Sequence, residues 1–154
     1  MARIERCWSG SNIDNYRCFV NFELKLGREH LILGGNGSGK STLLQVLQSI
    51  RQLVAGEGEP DGLFPESTRT RWQTRPIQRL ELDVKLKDSM YRLLLEIDSW
   101  GDPSRRRVKR ESVTCDGRPI FEFAEGEVSL FNDRFEQKVR YPFDWHRSAL
   151  ATIQ

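Results

Sequence analysis

Cysteine is scarce: three residues in 154, an odd number with no C-x-x-C spacing, give no basis for a disulfide framework or a zinc site. Cys7, Cys18 and Cys115 are therefore expected to be reduced and mostly buried. No apolar run approaches the roughly 18 residues a membrane-spanning helix needs, and the opening "MARIERCW" is charged where a secretory leader would be apolar. The expectation is a soluble, cytoplasmic chain with no membrane partner. An excess of one charge is missing too. The 24 Lys and Arg against 22 Asp and Glu leave a net +2, too weak a field to draw in nucleic acid by itself. With 38% hydrophobic and 30% charged residues the composition is globular. A chain of this size can bury about 70% of its unfolded surface in one domain.

The apolar pattern changes period along the chain. Cys18, Val20, Phe22 and Leu24 alternate with Phe19, Asn21, Glu23 and Lys25, which predicts a half-buried strand ended by Gly27. "EHLILGG" predicts a second short strand, Leu31 to Leu33, buried on both faces and stopped by two glycines. Leu43, Leu44, Val46, Leu47, Ile50, Leu53 and Val54 then recur at helical spacing, with Gln45, Gln48, Arg51 and Gln52 opposite and Gly56 as the stop. "GEGEPDGLFPESTRT" reads as a surface loop with little structure of its own. Beyond it Leu80, Leu82, Val84 and Leu86 alternate, "KDS" turns the chain, and Tyr91, Leu93, Leu95 and Ile97 alternate in reply. "WGDPS", Asp116-Gly117 and "NDR" at Asn132 mark further turns, so this half is an antiparallel meander. From Asp144, "DWHRSALATIQ" looks like the start of a helix without a C-cap, and the protein is expected to continue beyond it.

Between the predicted buried strand and the helix stands "GGNGSGKST", Gly34 to Thr42, with the full pattern G-x-x-x-x-G-K-[ST]. Chance supplies that pattern in about one such chain in two hundred, and the strand before and helix after it are the context it requires. Phosphates need many donors at close range. Glycines let backbone N–H groups converge, and the following helix adds the positive end of its dipole. Gly34, Gly37, Ser38 and Gly39 form this cradle, Lys40 reaches the β and γ phosphates, Ser41 ligates Mg²⁺ and Thr42 donates to the α phosphate. The fold class expected is α/β with an α+β-like mix: a partial P-loop NTPase lobe of short strands and a P-loop helix, followed by the meander. Residues 1–55 would hold strands, loop and helix, 56–76 the surface loop, 77–143 the antiparallel subdomain and 144–154 the beginning helix.

"SNIDNYRCFVNFELKLGREHLILGGNGSGKSTLLQVL" resembles the N-terminus of ABC-type ATPases related to RecF, SMC proteins and OLD-type and other prokaryotic AAA-like ATPases. The resemblance is specific over Ile13 to Leu47 and architectural beyond it. It implies that Asn15, Tyr16 and Arg17 lie near the base and ribose and that Asn36 faces the γ phosphate. It further implies ATP and Mg²⁺ as cofactors, with the remaining C-terminal half and a second ATPase subunit as partners. DNA stays open as another. Turnover in that group also needs a Walker B aspartate followed by glutamate, a signature motif in trans and a switch histidine. No L-S-G-G-Q-like stretch is present, and "RLLLEID", ending at Glu96 and Asp98, lies in an alternating hairpin where a buried parallel strand would be needed. The catalytic residues are thus not assigned, and the chain alone is expected to be inactive.

Other signals read as structural. "RRRVKR", Arg105 to Arg110, with Arg69, Arg71, Arg75 and Arg79, could face phosphodiesters, with Trp72 and Trp100 stacking on bases, but interleaved acids favour solvated strand edges. His30 reads as structural, Trp8 and Trp145 as core, and His146 as a residue near a helix start. A GTPase would need N-K-x-D, which is missing. The alternatives to an ATP-binding lobe acting as a nucleotide switch in DNA-associated or defence processes are a small P-loop phosphotransferase and a β-rich interaction module with a vestigial loop.

Overall fold

Strand β1 (Arg6–Asp14) is followed by β2 (Phe22–Lys25), helix α1 (Lys40–Val54), the single turn α2 (Pro60–Leu63) and a 3-10 turn at Glu66–Thr68. Then come β3 (Gln78–Leu86), β4 (Ser89–Asp98), β5 (Arg107–Cys115), β6 (Arg118–Ala124), β7 (Glu127–Phe131), β8 (Gln137–Pro142) and a 3-10 turn at Leu150–Thr152. All eight strands form one sheet in the order β2-β1-β3-β4-β5-β6-β7-β8. This computed structural model describes residues 6–25, 27, 29, 31–99, 101–102 and 105–153. His30, Trp100 and Gln154 lie outside the described residues, as do the side chains of Cys7 and Trp8.

Every strand pairing is antiparallel. The α/β expectation is therefore corrected to a mostly antiparallel sheet with few helices. Tight turns explain why. The Asp116-Gly117 and Glu125-Gly126 turns both have positive φ at each central residue, the geometry whose twist matches paired strands. Leu80, Leu95, Ile97, Val108, Phe123 and Val128 bury themselves on one face of the sheet, against Leu43, Val46, Ile50 and Leu53 of α1. Each such side chain contributes about 1.5–3 kcal/mol of burial. The opposite face carries ion pairs such as Arg92–Asp83 at 2.6 Å and Arg79–Glu96 at 3.1 Å, exposed contacts worth about 0–1 kcal/mol each. The core is therefore one-sided.

Four local expectations change. The alternating run from Cys18 becomes a strand only at Phe22, because Asn15, Arg17 and Asn21 all take positive φ and fold residues 15–21 into a turn. Tyr16 and Phe19 exchange backbone hydrogen bonds across it, at 3.1 and 2.8 Å. Phe19 is buried on Phe22, while Cys18 is exposed and Cys115 only half-buried, against the expectation of buried cysteines. Leu31 to Leu33 is not a buried strand: Leu31 is 82% and Leu33 79% exposed. Burial on both faces needs a strand on each side and a covering layer, and among the described residues none pairs with this run. The segment after Gly56 is not an unstructured loop, for Pro60 opens α2 and Phe64 is fully buried, edge-on to Tyr16 at 6.3 Å between ring centroids.

The fourth change is at the end of the chain, where a single 3-10 turn replaces the expected helix. Its N–H groups are taken by Glu111, a fully buried carboxylate on β5. Ser148 Oγ donates to Glu111 Oε1 at 2.6 Å, and the backbone N–H groups of Ala149 and Leu150 donate to Oε2 at 2.9 and 3.3 Å. Burial pushes the Glu111 pKa above the ordinary carboxylate range, more than these hydrogen bonds pull it down. The folded chain thus binds this proton more tightly than the unfolded chain. Stability from this group is complete below the unfolded value and lost as pH rises through the raised native one. Glu111→Gln keeps an acceptor for the two N–H groups and a donor for Ser148 but does not titrate. Urea denaturation should show wild type losing stability relative to Glu111→Gln as pH rises from below the carboxylate range to neutrality. A pH-independent difference would contradict this account.

Candidate nucleotide-binding site

The glycine-rich loop meets α1 at Gly39, whose φ of +92° is in the left-handed region that glycine tolerates. No side chain caps the helix, and its first turn holds no acidic residue. The N–H groups of that turn are therefore not satisfied by a capping side chain. Asn36 to Thr42 line a concavity of about 240 Å³. Lys40 folds back over it, Nζ donating to the carbonyls of Gly34 at 2.5 Å and Gly35 at 2.7 Å and to Ser38 Oγ at 3.2 Å. Asn36, Gly37, Ser38 and Ser41 are exposed, while Lys40 and Thr42 are half-buried. A glycine-rich loop at a helix N-terminus, with an ammonium held on the loop's own carbonyls, is an arrangement suited to an anion.

The turn at residues 15–19 closes one side. A Cβ on Gly39 would stand 3.2 Å from the Phe19 ring and 3.3 Å from Cys18 Sγ, so the turn is packed directly on the end of the loop. Of the three residues expected near the base and ribose, only Arg17 is exposed. Asn15 is fully buried, its Nδ2 donating to the carbonyls of Arg75 at 2.8 Å and Ile77 at 2.9 Å while its Oδ1 accepts from Thr70 N at 3.2 Å. Tyr16 is buried against Phe64, and burial pushes its phenol pKa up. Their side chains hold the turn in place.

A buried guanidinium extends this hold across the sheet. Arg106 is almost completely buried, its Nε donating to Phe64 O at 3.0 Å, Nη2 to Gln78 Oε1 at 2.6 Å and Nη1 to Glu66 Oε2 at 3.4 Å. Its backbone N–H also donates to Asp61 Oδ1. Desolvation pulls its pKa down, with Glu66 acting the other way. Gln78 Nε2 in turn donates to Thr68 O at 3.2 Å, the same carbonyl that accepts from Arg17 N at 2.6 Å. Arg106, Gln78 and Thr68 thus lock the segment after Gly56 against the 15–19 turn. The basic run of the sequence did not suggest this role; the signals for it were Phe64 and Pro60 amid loop-forming residues.

The remaining candidates lie elsewhere. Glu96 and Asp98 end β4 between antiparallel neighbours, paired with Arg79 at 3.1 Å and Arg107 at 2.6 Å, away from any parallel strand. Within the basic run Arg110 pairs with Glu122 at 2.7 Å and Arg107 lies 4.5 Å from the Trp145 ring centroid. Trp145 is packed partly on the core. His146 is exposed beside Asp144 at 2.9 Å. Among the described residues no three His, Cys, Asp or Glu side chains cluster to hold a metal. Ser41 offers one exposed hydroxyl beside the cradle, which suits Mg²⁺, an ion bound mainly through phosphate oxygens and water.

Fold and site together place a glycine-rich loop at the start of a helix that packs on a mostly antiparallel sheet. The family described as "ABC transporter" matches residues 19–91. The arabinose import ATP-binding protein AraG of Vibrio parahaemolyticus is 29% identical over 126 residues, 72% of this chain and 25% of that protein. The ribose import ATP-binding protein RbsA of Bacillus licheniformis is 46% identical over 43 residues, 28% of this chain and 9% of that protein. The nucleoside import ATP-binding protein NupA of Lactococcus lactis is 50% identical over 38 residues, 25% and 8% respectively. The chain thus spans a quarter or less of these relatives' lengths. The likeness to ABC-type P-loop ATPases covers residues 19–91 of this chain.

Removing the Arg106 charge would leave Gln78 Oε1 and Phe64 O without their buried donor. Arg106→Met should cost about 3–5 kcal/mol, read by urea denaturation. It should also speed tryptic cleavage after Arg69 and Arg71. Wild-type stability with unchanged digestion would show that the guanidinium does not hold this segment.

Proposed function

We propose that this chain is the ATP- and Mg²⁺-binding N-terminal lobe of an ABC-type ATPase. The observation that carries the reading is the cradle of Asn36 to Thr42 at the mouth of α1, with Lys40 resting on the loop's own carbonyls. Gly34, Gly37 and Gly39 let the backbone approach the phosphates, and Lys40 exchanges its carbonyl partners for β- and γ-phosphate oxygens. Asn36 faces the γ phosphate, Ser38 lines the loop and Thr42 donates to the α phosphate. Ser41 holds Mg²⁺, which neutralises phosphate charge when bound. The remaining half of the ATPase covers Leu31, Ile32, Leu33 and Leu44, all exposed here, and a second subunit completes the site.

Two finer readings diverge. The Ile13–Leu47 pattern and the antiparallel sheet favour a RecF/SMC-like nucleotide switch in DNA-associated or defence processes. The names of the relatives favour the ATP-binding part of a sugar or nucleoside importer, which would engage a membrane transporter. Cosedimentation of the chain with membranes of its source cell separates them: a switch stays in the supernatant, and a saturable membrane-bound fraction favours the importer.

Calorimetric titration should show MgATP binding weakened by Lys40→Ala by about 1.5–3 kcal/mol, or roughly 10- to 150-fold. Equal weak binding by both proteins would mean a vestigial loop. Phosphate release should stay near background and be unchanged by Glu96→Gln or Asp98→Asn. Holding phosphates stabilises ground and transition states alike, and a missing in-trans stabiliser alone costs about 10³–10⁵ in related phosphoryl transfer. Robust turnover abolished by either substitution would make β4 the catalytic strand.

A further inference from the structure

Beside the phosphate cradle lies a second cavity, of about 320 Å³, lined by Arg17, Cys18, Ser67, Arg69, Arg71 and Trp72. One wall is the 15–19 turn and the other the segment that Arg106 and Gln78 hold in place. The two linings approach each other at Cys18, which lines the second cavity and whose Sγ lies 3.3 Å from where a Cβ on Gly39, a lining residue of the first, would stand. Trp72 is 68% exposed, though backbone hydrogen bonds fix its neighbours Thr70 and Gln73. Arg69 is pinned to Glu66 and to the Arg75 carbonyl, leaving its buried Nε without a protein partner. No carboxylate lines this cavity.

We propose that this cavity seats the base of the bound nucleotide, with Trp72 as the stacking platform and Arg17 and Arg71 flanking it. The inference rests on the reading of the neighbouring loop as a triphosphate site. A nucleotide whose phosphates fill the cradle has its base one ribose away, and the cavity across the Cys18–Gly39 contact is a neighbouring space of that kind. Tyr16, the aromatic residue the sequence offered for the base, cannot stack on it from beneath Phe64. An indole face accepts any base, and arginine adds a cation–π contribution. With no carboxylate to accept the guanine N1–H and N2–H, ATP and GTP should bind within a few-fold of each other.

The test compares MgATP with Mg-tripolyphosphate, which has no base, on wild type, Trp72→Ala, Trp72→Phe and Lys40→Ala. Trp72 is a surface residue, so its variants should keep the wild-type circular dichroism and urea midpoint. Trp72→Ala should weaken ATP about tenfold, the scale of one lost base–aromatic stack, and leave tripolyphosphate unchanged. Trp72→Phe should recover most of the loss, and Lys40→Ala should weaken both ligands alike. ATP binding unchanged in Trp72→Ala but lost in Lys40→Ala overturns the base seat and leaves the triphosphate site standing. Equal loss of ATP and tripolyphosphate in Trp72→Ala also overturns it, since the indole would then act on the loop. Failure of wild type to bind either ligand overturns both readings. Binding of a (dT)₁₂ strand through Trp72 that ATP does not compete would reassign the cavity to single-stranded nucleic acid.

Discussion

A single desolvated cation organises this molecule. Arg106 gives up hydration for two neutral oxygens, Phe64 O and Gln78 Oε1, and one carboxylate, Glu66, that is itself half-exposed. A guanidinium stays charged even when burial lowers its pKa, so these partners cannot be withdrawn singly. They belong to two pieces of chain: Phe64 and Glu66 to the segment after α1, Gln78 to the start of β3. Satisfying one charge therefore fixes a segment whose composition alone would leave it loose.

That fixed segment gives the phosphate loop its setting. Gln78 passes the constraint to Thr68, Thr68 to Arg17, and Asn15 to Thr70, Arg75 and Ile77. The 15–19 turn then packs on Gly39, where the helix begins. The loop is thereby supported from the turn and from α1, while on the side of Leu31 to Leu33 its apolar residues face solvent. A loop held on two sides can present its donors, which suits binding. Glu96 and Asp98, by contrast, are tied up with Arg79 and Arg107 in the antiparallel sheet.

The α1 face, the β3–β4 hairpin and the Asp116-Gly117 turn were legible because each rests on neighbours in sequence. Helical spacing put Leu43, Val46, Ile50 and Leu53 on one side, alternation did the same for Leu80, Leu82, Leu93 and Leu95, and the two-residue turn follows from local φ preference. The cradle was legible for the same reason: Gly34 to Thr42 are contiguous. Where partners are distant the reading failed. Alternation from Cys18 placed Phe22 and Leu24 correctly but exchanged Cys18 and Phe19, because left-handed residues at Asn15, Arg17 and Asn21 make a turn of the stretch before Phe22. Leu31 to Leu33 look like a buried strand, yet burial depends on neighbouring strands that no local pattern can supply.

The sequence by itself thus determined the glycine-rich loop, the helix it opens and the antiparallel course of the second half, all products of short-range backbone preference and side-chain periodicity. Only the tertiary structure decided what stands around the loop. Asn15 and Tyr16 went inward because the Thr70–Ile77 segment offers hydrogen-bond partners and Phe64 an apolar wall. Arg106 was drawn from a surface-like basic run into the interior because three oxygens from two separate segments converge there. Trp72 stayed exposed beside Arg17 because the same network holds its flanks while no apolar surface covers its ring. These outcomes turn on the desolvation of polar groups satisfied by distant partners, and periodicity along the chain carries no record of such pairings.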